Sequence, residues 1–79
     1  MTIKDIRRGV GENYNTLTFV YAGKQSGVEP SAHNSIVTFE AWHGDDTKEY
    51  KDIDTLLNDK FYSGKSIVDL VGHVNFEFC

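Results

Sequence analysis

Residues 51–79 change their hydrophobic period twice, and this pattern constrains the fold more than any other part of the sequence. Lys51–Tyr62 repeats its apolar residues at helical spacing, and the resulting stripe consists of Ile53, Leu56, Leu57 and Phe61. Ser66–Val71 is helical in the same sense and opens on a capping-box pair, Ser66 and Asp69. His73–Phe78 instead alternates apolar and polar residues as a strand does. Because the two periods follow each other so closely, the sequence predicts a compact α+β domain.

The rest of the chain adds a short helix and three strands to this prediction. Thr2 and Asp5 have the spacing of a capping box, which predicts a helix over residues 2–9. Runs rich in β-branched and aromatic residues predict strands at Asn15–Ala22, Ser35–His43 and Thr47–Lys51, with a turn at Gly44–Asp46. Gly23–Asn34 holds the only proline and has no periodicity, so we expect a surface loop of about a dozen residues.

We therefore expect an α+β fold in which an antiparallel sheet of about four strands carries two or three short helices, mainly on one face. Residues 1–79 form this single domain. The predicted core combines the apolar residues that share a face in each element: Ile6, Leu17, Phe19, Val37, Phe39, Ile53, Leu56, Leu57, Phe61, Ile67, Leu70, Val71, Val74, Phe76 and Phe78.

Charge argues against a surface that binds nucleic acid. The chain has 12 acidic and 8 basic residues and a formal net charge of −4. Nonspecific affinity for nucleic acid comes from clustered lysine and arginine, and the only such cluster is Lys4, Arg7 and Arg8. Weak nucleic-acid binding through that cluster stays open as an alternative.

Cysteine and hydropathy indicate a location. The single cysteine, Cys79, cannot form a disulfide within the chain, so no oxidising compartment is implied. No apolar run is long enough to span a membrane or to act as a signal peptide. We expect a cytoplasmic protein without a membrane partner.

No motif predicts a catalytic, cofactor or metal site. Ser63–Ser66 has the Gly-Lys-Ser order of a phosphate-binding loop, but Asp59 stands where that motif needs a glycine. None of the histidines has a second ligand at the spacing of a structural zinc site, so we interpret all of them, His33, His43 and His73, as surface residues. We expect no enzyme activity and no cofactor.

Trp42 is the strongest candidate for a binding residue. If Val37, Phe39 and Ala41 face the helices, strand alternation puts Trp42 on the opposite face of the sheet. The same parity places Ile36, Val20 and Tyr14 on that face, where tryptophan and tyrosine favour an interface. The alternative is that Trp42 covers a sheet edge or packs under the long loop.

The leading hypothesis for function is a non-enzymatic module that binds another protein. Its predicted contact residues are Trp42, Ile36, Val20 and Tyr14 on the sheet face, with Asp45 and Asp46 at the hairpin turn. A homodimer through the same face is one form of this hypothesis. The alternative is an acidic inhibitor that mimics nucleic acid and occupies the basic groove of a host or phage nucleic-acid-binding protein.

The segment Asp54–Ile67, with its Leu56-Leu57 pair and its Ser63-Gly64-Lys65-Ser66 turn, resembles a known group of proteins. These are small uncharacterised accessory proteins of phages and mobile elements of Gram-positive bacteria. The resemblance covers about the last forty residues of the chain. It implies a bacterial, intracellular accessory protein that acts on a host protein, and it carries over no catalytic residue.

Overall fold

The computed structural model describes residues 1–79 and has two layers, a sheet and three short helices. The elements are α1 (Ile3–Gly11), β1 (Leu17–Tyr21), β2 (Lys24–His33), β3 (Ile36–His43), β4 (Asp46–Tyr50), α2 (Ile53–Asn58), α3 (Ile67–Leu70) and β5 (Glu77–Phe78). All strand pairs are antiparallel, and the five strands lie in the order β4-β3-β2-β1-β5. The predicted α+β class is confirmed, with one strand more than expected.

Three two-residue turns connect the first four strands into a meander. In the first two turns both residues have positive φ, namely Ala22 and Gly23, then Asn34 and Ser35. This is the geometry of a type I′ turn, whose twist matches that of the strands it joins. The third turn is Gly44–Asp45, which lies within the predicted turn Gly44–Asp46.

The predicted loop Gly23–Asn34 is wrong, because these residues form β2, the central strand of the sheet. Pro30 argues against a central strand here, because proline has no N–H to donate to a β-ladder. The last pair between β2 and β1 is Val28 with Leu17, so Pro30 lies where only β3 flanks the strand. At that point β2 is locally an edge, which is where a proline is tolerated.

The helices begin where their capping residues predict. Thr2 and Asp5 form a reciprocal capping box at the start of α1, and Ser66 and Asp69 form another at the start of α3. Asp52 caps α2 by accepting from the amide of Thr55 at 2.9 Å. α2 ends at Asn58, short of the predicted Tyr62.

Asp59 explains why α2 ends early. Its carboxylate accepts from the Tyr50 hydroxyl at 2.6 Å and from the Lys48 ammonium at 2.7 Å. These hydrogen bonds hold the pKa of Asp59 below its ordinary value and tie the end of α2 to β4. The acid that excludes a phosphate-binding loop therefore has a structural role.

The C-terminal strand is much shorter than the predicted His73–Phe78. Only Glu77 and Phe78 pair with β1, opposite Thr18 and Leu17. Phe76 is buried as predicted, but Phe78 is 37% exposed and does not belong to the core. Its ring covers Gly9 of α1, where even a methyl group would collide with it.

The core lies between the helices and one face of the sheet. Its buried apolar residues are Ile6, Val10, Leu17, Phe19, Val28, Phe39, Ala41, Tyr50, Leu56, Leu57, Tyr62, Ile67, Leu70 and Phe76. Tyr62 is fully buried, and its hydroxyl donates to the carbonyl of Gly27 in β2 at 2.8 Å. The sequence does not predict Tyr62 as a core residue, because Tyr62 lies beyond α2, in a turn that has no hydrophobic period. No helix of the chain has the length and hydropathy that crossing a bilayer requires.

Candidate functional site

The sheet face opposite the helices is uncovered, and we call it the open face. The strand register places the following residues on it: Thr18, Val20, Gln25, Gly27, Glu29, Ser31, His33, Ile36, Thr38, Glu40, Trp42, Thr47, Glu49 and Glu77. None of them is a lysine or an arginine. His33 is the only basic side chain on this face.

Trp42 lies on the open face near the end of β3, between Gly27 of β2 and Thr47 of β4, and is half-buried. Its neighbours in β3, Ala41 and His43, are buried on the helix side, as the predicted alternation requires. The six-membered ring of Trp42 lies over Gly27 of β2, so close that a Cβ at Gly27 would come within 2.6 Å of it. Gly27 therefore supplies the space that holds the indole flat against the sheet.

Of the other predicted apolar contact residues, Ile36 is far from Trp42, whereas Val20 is only two strands and one open-face row away. Ile36 is 62% exposed but pairs with His33 at the tip of the β2–β3 hairpin. It lies six residues along β3 from Trp42, a separation of roughly 20 Å. Val20 is 54% exposed and pairs with Gln25 near the opposite end of the face.

Three predicted contact residues lie off the open face. Tyr14 is exposed, but it precedes β1 and has a φ of 55°, so strand alternation does not apply to it. Asp46 pairs with His43, whose side chain points toward the helices. Asp45 lies in the turn itself. The parity argument fails at these positions because it assumed strand where the chain turns.

Three glutamates form a row across the open face, which we call the glutamate row: Glu29, Glu40 and Glu49. Glu40 of β3 is directly opposite Glu29 of β2 on one side and Glu49 of β4 on the other. Neighbouring strands are about 4.8 Å apart, so three like charges follow each other at that spacing. With Ser31 and Thr38 they line a depression of about 220 Å³.

The glutamate row is not a metal site. No group of three or more histidine, cysteine, aspartate or glutamate side chains in the chain is arranged to hold a metal ion. Like charges placed directly opposite each other destabilise a sheet. The row therefore lowers the free energy of unfolding, and it does not form a metal centre.

His43 is a buried residue, so its interpretation as a surface imidazole is wrong. It has the same parity as Phe39 and Ala41, and only 2% of its surface is exposed. Its Nδ1 lies 2.6 Å from the hydroxyl of Ser26 in β2, and its Nε2 lies 2.7 Å from the hydroxyl of Ser63. Strand alternation, which places Trp42 on the open face, also places His43 on the helix side, so the sequence does contain a signal for its burial.

The hydrogen-bond network favours one tautomer of His43. The Ser26 hydroxyl has a single proton, and when it donates that proton to the carbonyl of Lys24 at 3.1 Å, its oxygen accepts from a protonated Nδ1. Nε2 then carries a lone pair and accepts from the Ser63 hydroxyl.

The surroundings of His43 favour its neutral form. Burial, and secondarily the charge of Lys24, lower the pKa of His43, and the carboxylate of Asp46 opposes this only in part. Tyr21 stacks on the imidazole with ring centroids 6.3 Å apart, and Tyr62 meets it edge-on.

The basic cluster on α1 is largely neutralised. Arg7 pairs with Asp54 of α2, and Arg8 lies 3.8 Å from Glu12 on the same helix. Only Lys4 is without a carboxylate partner among the three. This arrangement leaves little free positive charge for a phosphate.

Comparison with known proteins finds no matching family model, no matching curated protein and no matching solved structure. The resemblance of Asp54–Ile67 to phage accessory proteins therefore stays a prediction from the sequence. Function has to be inferred from the open face and from the buried histidine.

Proposed function

We propose that this protein is an interaction module whose open face binds a positively charged surface of another protein. The observation that carries the proposal is the composition of that face: a tryptophan next to the glutamate row, four glutamates in all, and no lysine or arginine. The glutamates are the glutamate row and Glu77, which pairs with Thr18. A partner with exposed arginine or lysine complements this surface.

Trp42 supplies the apolar contact. Gly27 and the sheet beneath it fix one side of the indole, so little side-chain entropy is lost when the exposed side meets a partner. Tryptophan is enriched among residues that dominate interface energies, and its ring face attracts an arginine guanidinium. The ring is therefore a preorganised anchor beside the glutamate row.

The glutamate row supplies the charge. Its mutual repulsion is relieved when cationic groups of a partner lie between the carboxylates. The same charge argues against a homodimer through this face, because two copies would bring two glutamate rows together. A basic partner is thus favoured over a second copy of the chain.

A defined peptide tests this proposal. Trp42 is the only tryptophan, so its emission reports binding at the open face directly. We expect a helical peptide with arginines at positions i, i+3 and i+7 to shift this emission saturably. The same peptide with glutamates in place of the arginines should have no effect.

Two triple variants with the same change of net charge provide the control. Replacing Glu29, Glu40 and Glu49 by glutamine should weaken peptide binding about tenfold or more, since several charge pairs are lost. Replacing Glu12, Asp45 and Asp46 by their amides should change it less than about twofold. Equal losses in both variants would show that net charge governs binding, and the open face would lose its role.

A nucleic-acid mimic is the second candidate, and the regular spacing of the glutamate row favours it. In that case the partner is a nucleic-acid-binding protein with a basic groove. Such a protein would release bound DNA or RNA when this chain is added, and the Glu29, Glu40 and Glu49 triple variant would not displace it. If the chain instead binds a basic surface outside such a groove, the nucleic acid should stay bound.

A further inference from the structure

Ser63, His43 and Ser26 form a continuous chain of hydrogen bonds from the surface into the core. Ser63 is exposed, His43 is buried and Ser26 is buried. The two contacts to the imidazole, 2.7 Å to Ser63 and 2.6 Å to Ser26, are both short. This is the arrangement of a hydroxyl nucleophile, a base and a group that orients the base.

Ser63 is distinguished from the exposed serine Ser35 by its hydrogen bond to His43, and not by its backbone conformation. Its φ is 51°, because Ser63 and Gly64 form a two-residue turn between Tyr62 and Lys65. Ser35 also lies in a turn with a positive φ, 66°, but no histidine is bonded to its hydroxyl. Ser35 is therefore a natural reference for an exposed serine without a base.

We propose that Ser63 is a nucleophile activated by His43, and that it accepts an acyl group from an activated ester. In this tautomer the Nδ1–H of His43 donates to the Ser26 hydroxyl, and the lone pair on Nε2 is positioned to take the hydroxyl proton of Ser63. Ser26 acts as a positioning residue, because it contacts only the imidazole.

The step balances without any other reagent. The Oγ of Ser63 bonds to the acyl carbon while its proton moves to Nε2 of His43. The bond between that carbon and the leaving oxygen then breaks, and the leaving alkoxide takes the proton from Nε2. The products are an ester on Ser63, a free alcohol and a neutral His43, and water can later release the acid.

Such a step also needs a donor for the oxyanion and space for the acyl group. The amide of Gly64, directly after Ser63, donates to no acceptor in the chain, so it is free to bind a developing oxyanion. A cavity of about 270 Å³ is lined by Tyr21, Lys65, Asp69, Leu70 and His73. Ser63 and His43 do not line it themselves, but Lys65 directly follows the Ser63–Gly64 turn and Tyr21 stacks on His43.

This site is independent of the proposed function. Ser63 and His43 belong to the helix side of the sheet, whereas the glutamate row and Trp42 belong to the open face. Peptide binding and acylation can therefore each fail without the other. The inference departs from the expectation that the chain has no chemistry of its own.

The first test uses diisopropyl fluorophosphate and p-nitrophenyl acetate as probes on the full chain. We expect one phosphoryl adduct per molecule in the intact mass, located at Ser63 by peptide mapping. With p-nitrophenyl acetate we expect a burst of one equivalent of p-nitrophenol. Ser63→Ala should abolish both, while Ser35→Ala should leave both unchanged.

The second test examines His43. His43→Gln should slow the labelling of Ser63 by roughly 10²-fold, the usual contribution of a positioned base. Because this variant alters a buried residue, the pH profile of the wild type provides an independent readout. The labelling rate should have a midpoint below about pH 6.5, because burial and Lys24 lower the pKa of His43 and the carboxylate of Asp46 opposes them only in part. The other groups packed on the imidazole are the rings of Tyr21 and Tyr62.

Two results would overturn the inference. One is the absence of an adduct at Ser63, or labelling no faster than that of Ser35. The other is a labelling rate that rises tenfold per pH unit up to pH 9, because such a profile shows reaction without a neighbouring base.

Discussion

At the scale of single residues, His43 links the packing of the core to pH. The folded chain keeps the imidazole neutral, since burial and Lys24 lower its pKa and the carboxylate of Asp46 only partly compensates. In the unfolded chain the same imidazole is in water and titrates near its ordinary value of about 6.5. The other groups packed on the ring are Tyr21 and Tyr62.

The free energy of unfolding should therefore fall as the pH drops below about 6.5, because the unfolded state then binds a proton that the folded state does not. The free energy of unfolding continues to fall until the pH reaches the lower pKa of His43 in the folded state.

Urea unfolding between pH 7.5 and 5 measures this decrease in the free energy of unfolding. His43→Gln should remove this component, and the exposed control His73→Gln should retain it; identical profiles for the two variants would contradict the assignment.

Gly27 is the second residue with a specific structural role. An alanine Cβ there would lie 2.2 Å from the carbonyl oxygen of Leu17 and 2.6 Å from the ring of Trp42. Gly27→Ala should lower the free energy of unfolding by about 1–3 kcal/mol, the usual effect of overpacking, and should alter the emission of Trp42. Denaturant unfolding tests this.

Gly11→Ala is the matched control for Gly27. Gly11 is in the last turn of α1, where the added Cβ would meet only Ile53 at 3.6 Å, an ordinary contact. Alanine is the better helix former, so this variant should be neutral or more stable. If Gly27→Ala were as well tolerated, the close packing of Trp42 on β2 would be wrong.

At the scale of elements, the sequence predicts best where local chemistry decides the structure. The capping pairs Thr2–Asp5 and Ser66–Asp69 indicate both helix starts correctly, because each satisfies its own amides. β2 escapes prediction, because it lies between β1 and β3 and gains its conformation from them. The turn residues at its two ends, Ala22-Gly23 and Asn34-Ser35, are the signal that could have revealed it.

The candidate site also combines features that the local sequence predicts with features that depend on contacts between distant residues. Strand alternation correctly places Trp42 opposite Phe39 and Ala41. The glutamate row could not be predicted, since it depends on the register of three strands and one of them was taken for a loop. The contact between His43 and Ser63 joins residues twenty positions apart in different elements, and no local pattern encodes it.

The glutamate row should lower the free energy of unfolding. Glu40 faces a glutamate on each side, so Glu40→Gln removes both repulsions and should raise the free energy of unfolding by about 0.2–1 kcal/mol at low salt. The gain should shrink in 1 M salt, which screens exposed charges. Glu77→Gln is the control, because Glu77 pairs with Thr18 and should gain nothing. Equal gains for both variants would show that the row has no special repulsion.

At the scale of the whole molecule, the two sheet faces have different roles. The helix face holds the core and the buried histidine, and the open face combines Trp42 with glutamates that lower stability. Residues that break a local rule without stabilising the fold are expected at functional surfaces. The open face is therefore the part of the molecule that a partner explains best.

The most direct test of that claim is an NMR titration of the ¹⁵N-labelled chain with the arginine-bearing helical peptide. We expect the indole Nε1–H of Trp42 and the amides around Glu29, Glu40 and Glu49 to shift together with one dissociation constant. The amides of α1 and of the Gly44–Asp45 turn should stay in place. Shifts confined to those two regions, or no saturable shift at all, would contradict the assignment of the open face as the binding surface.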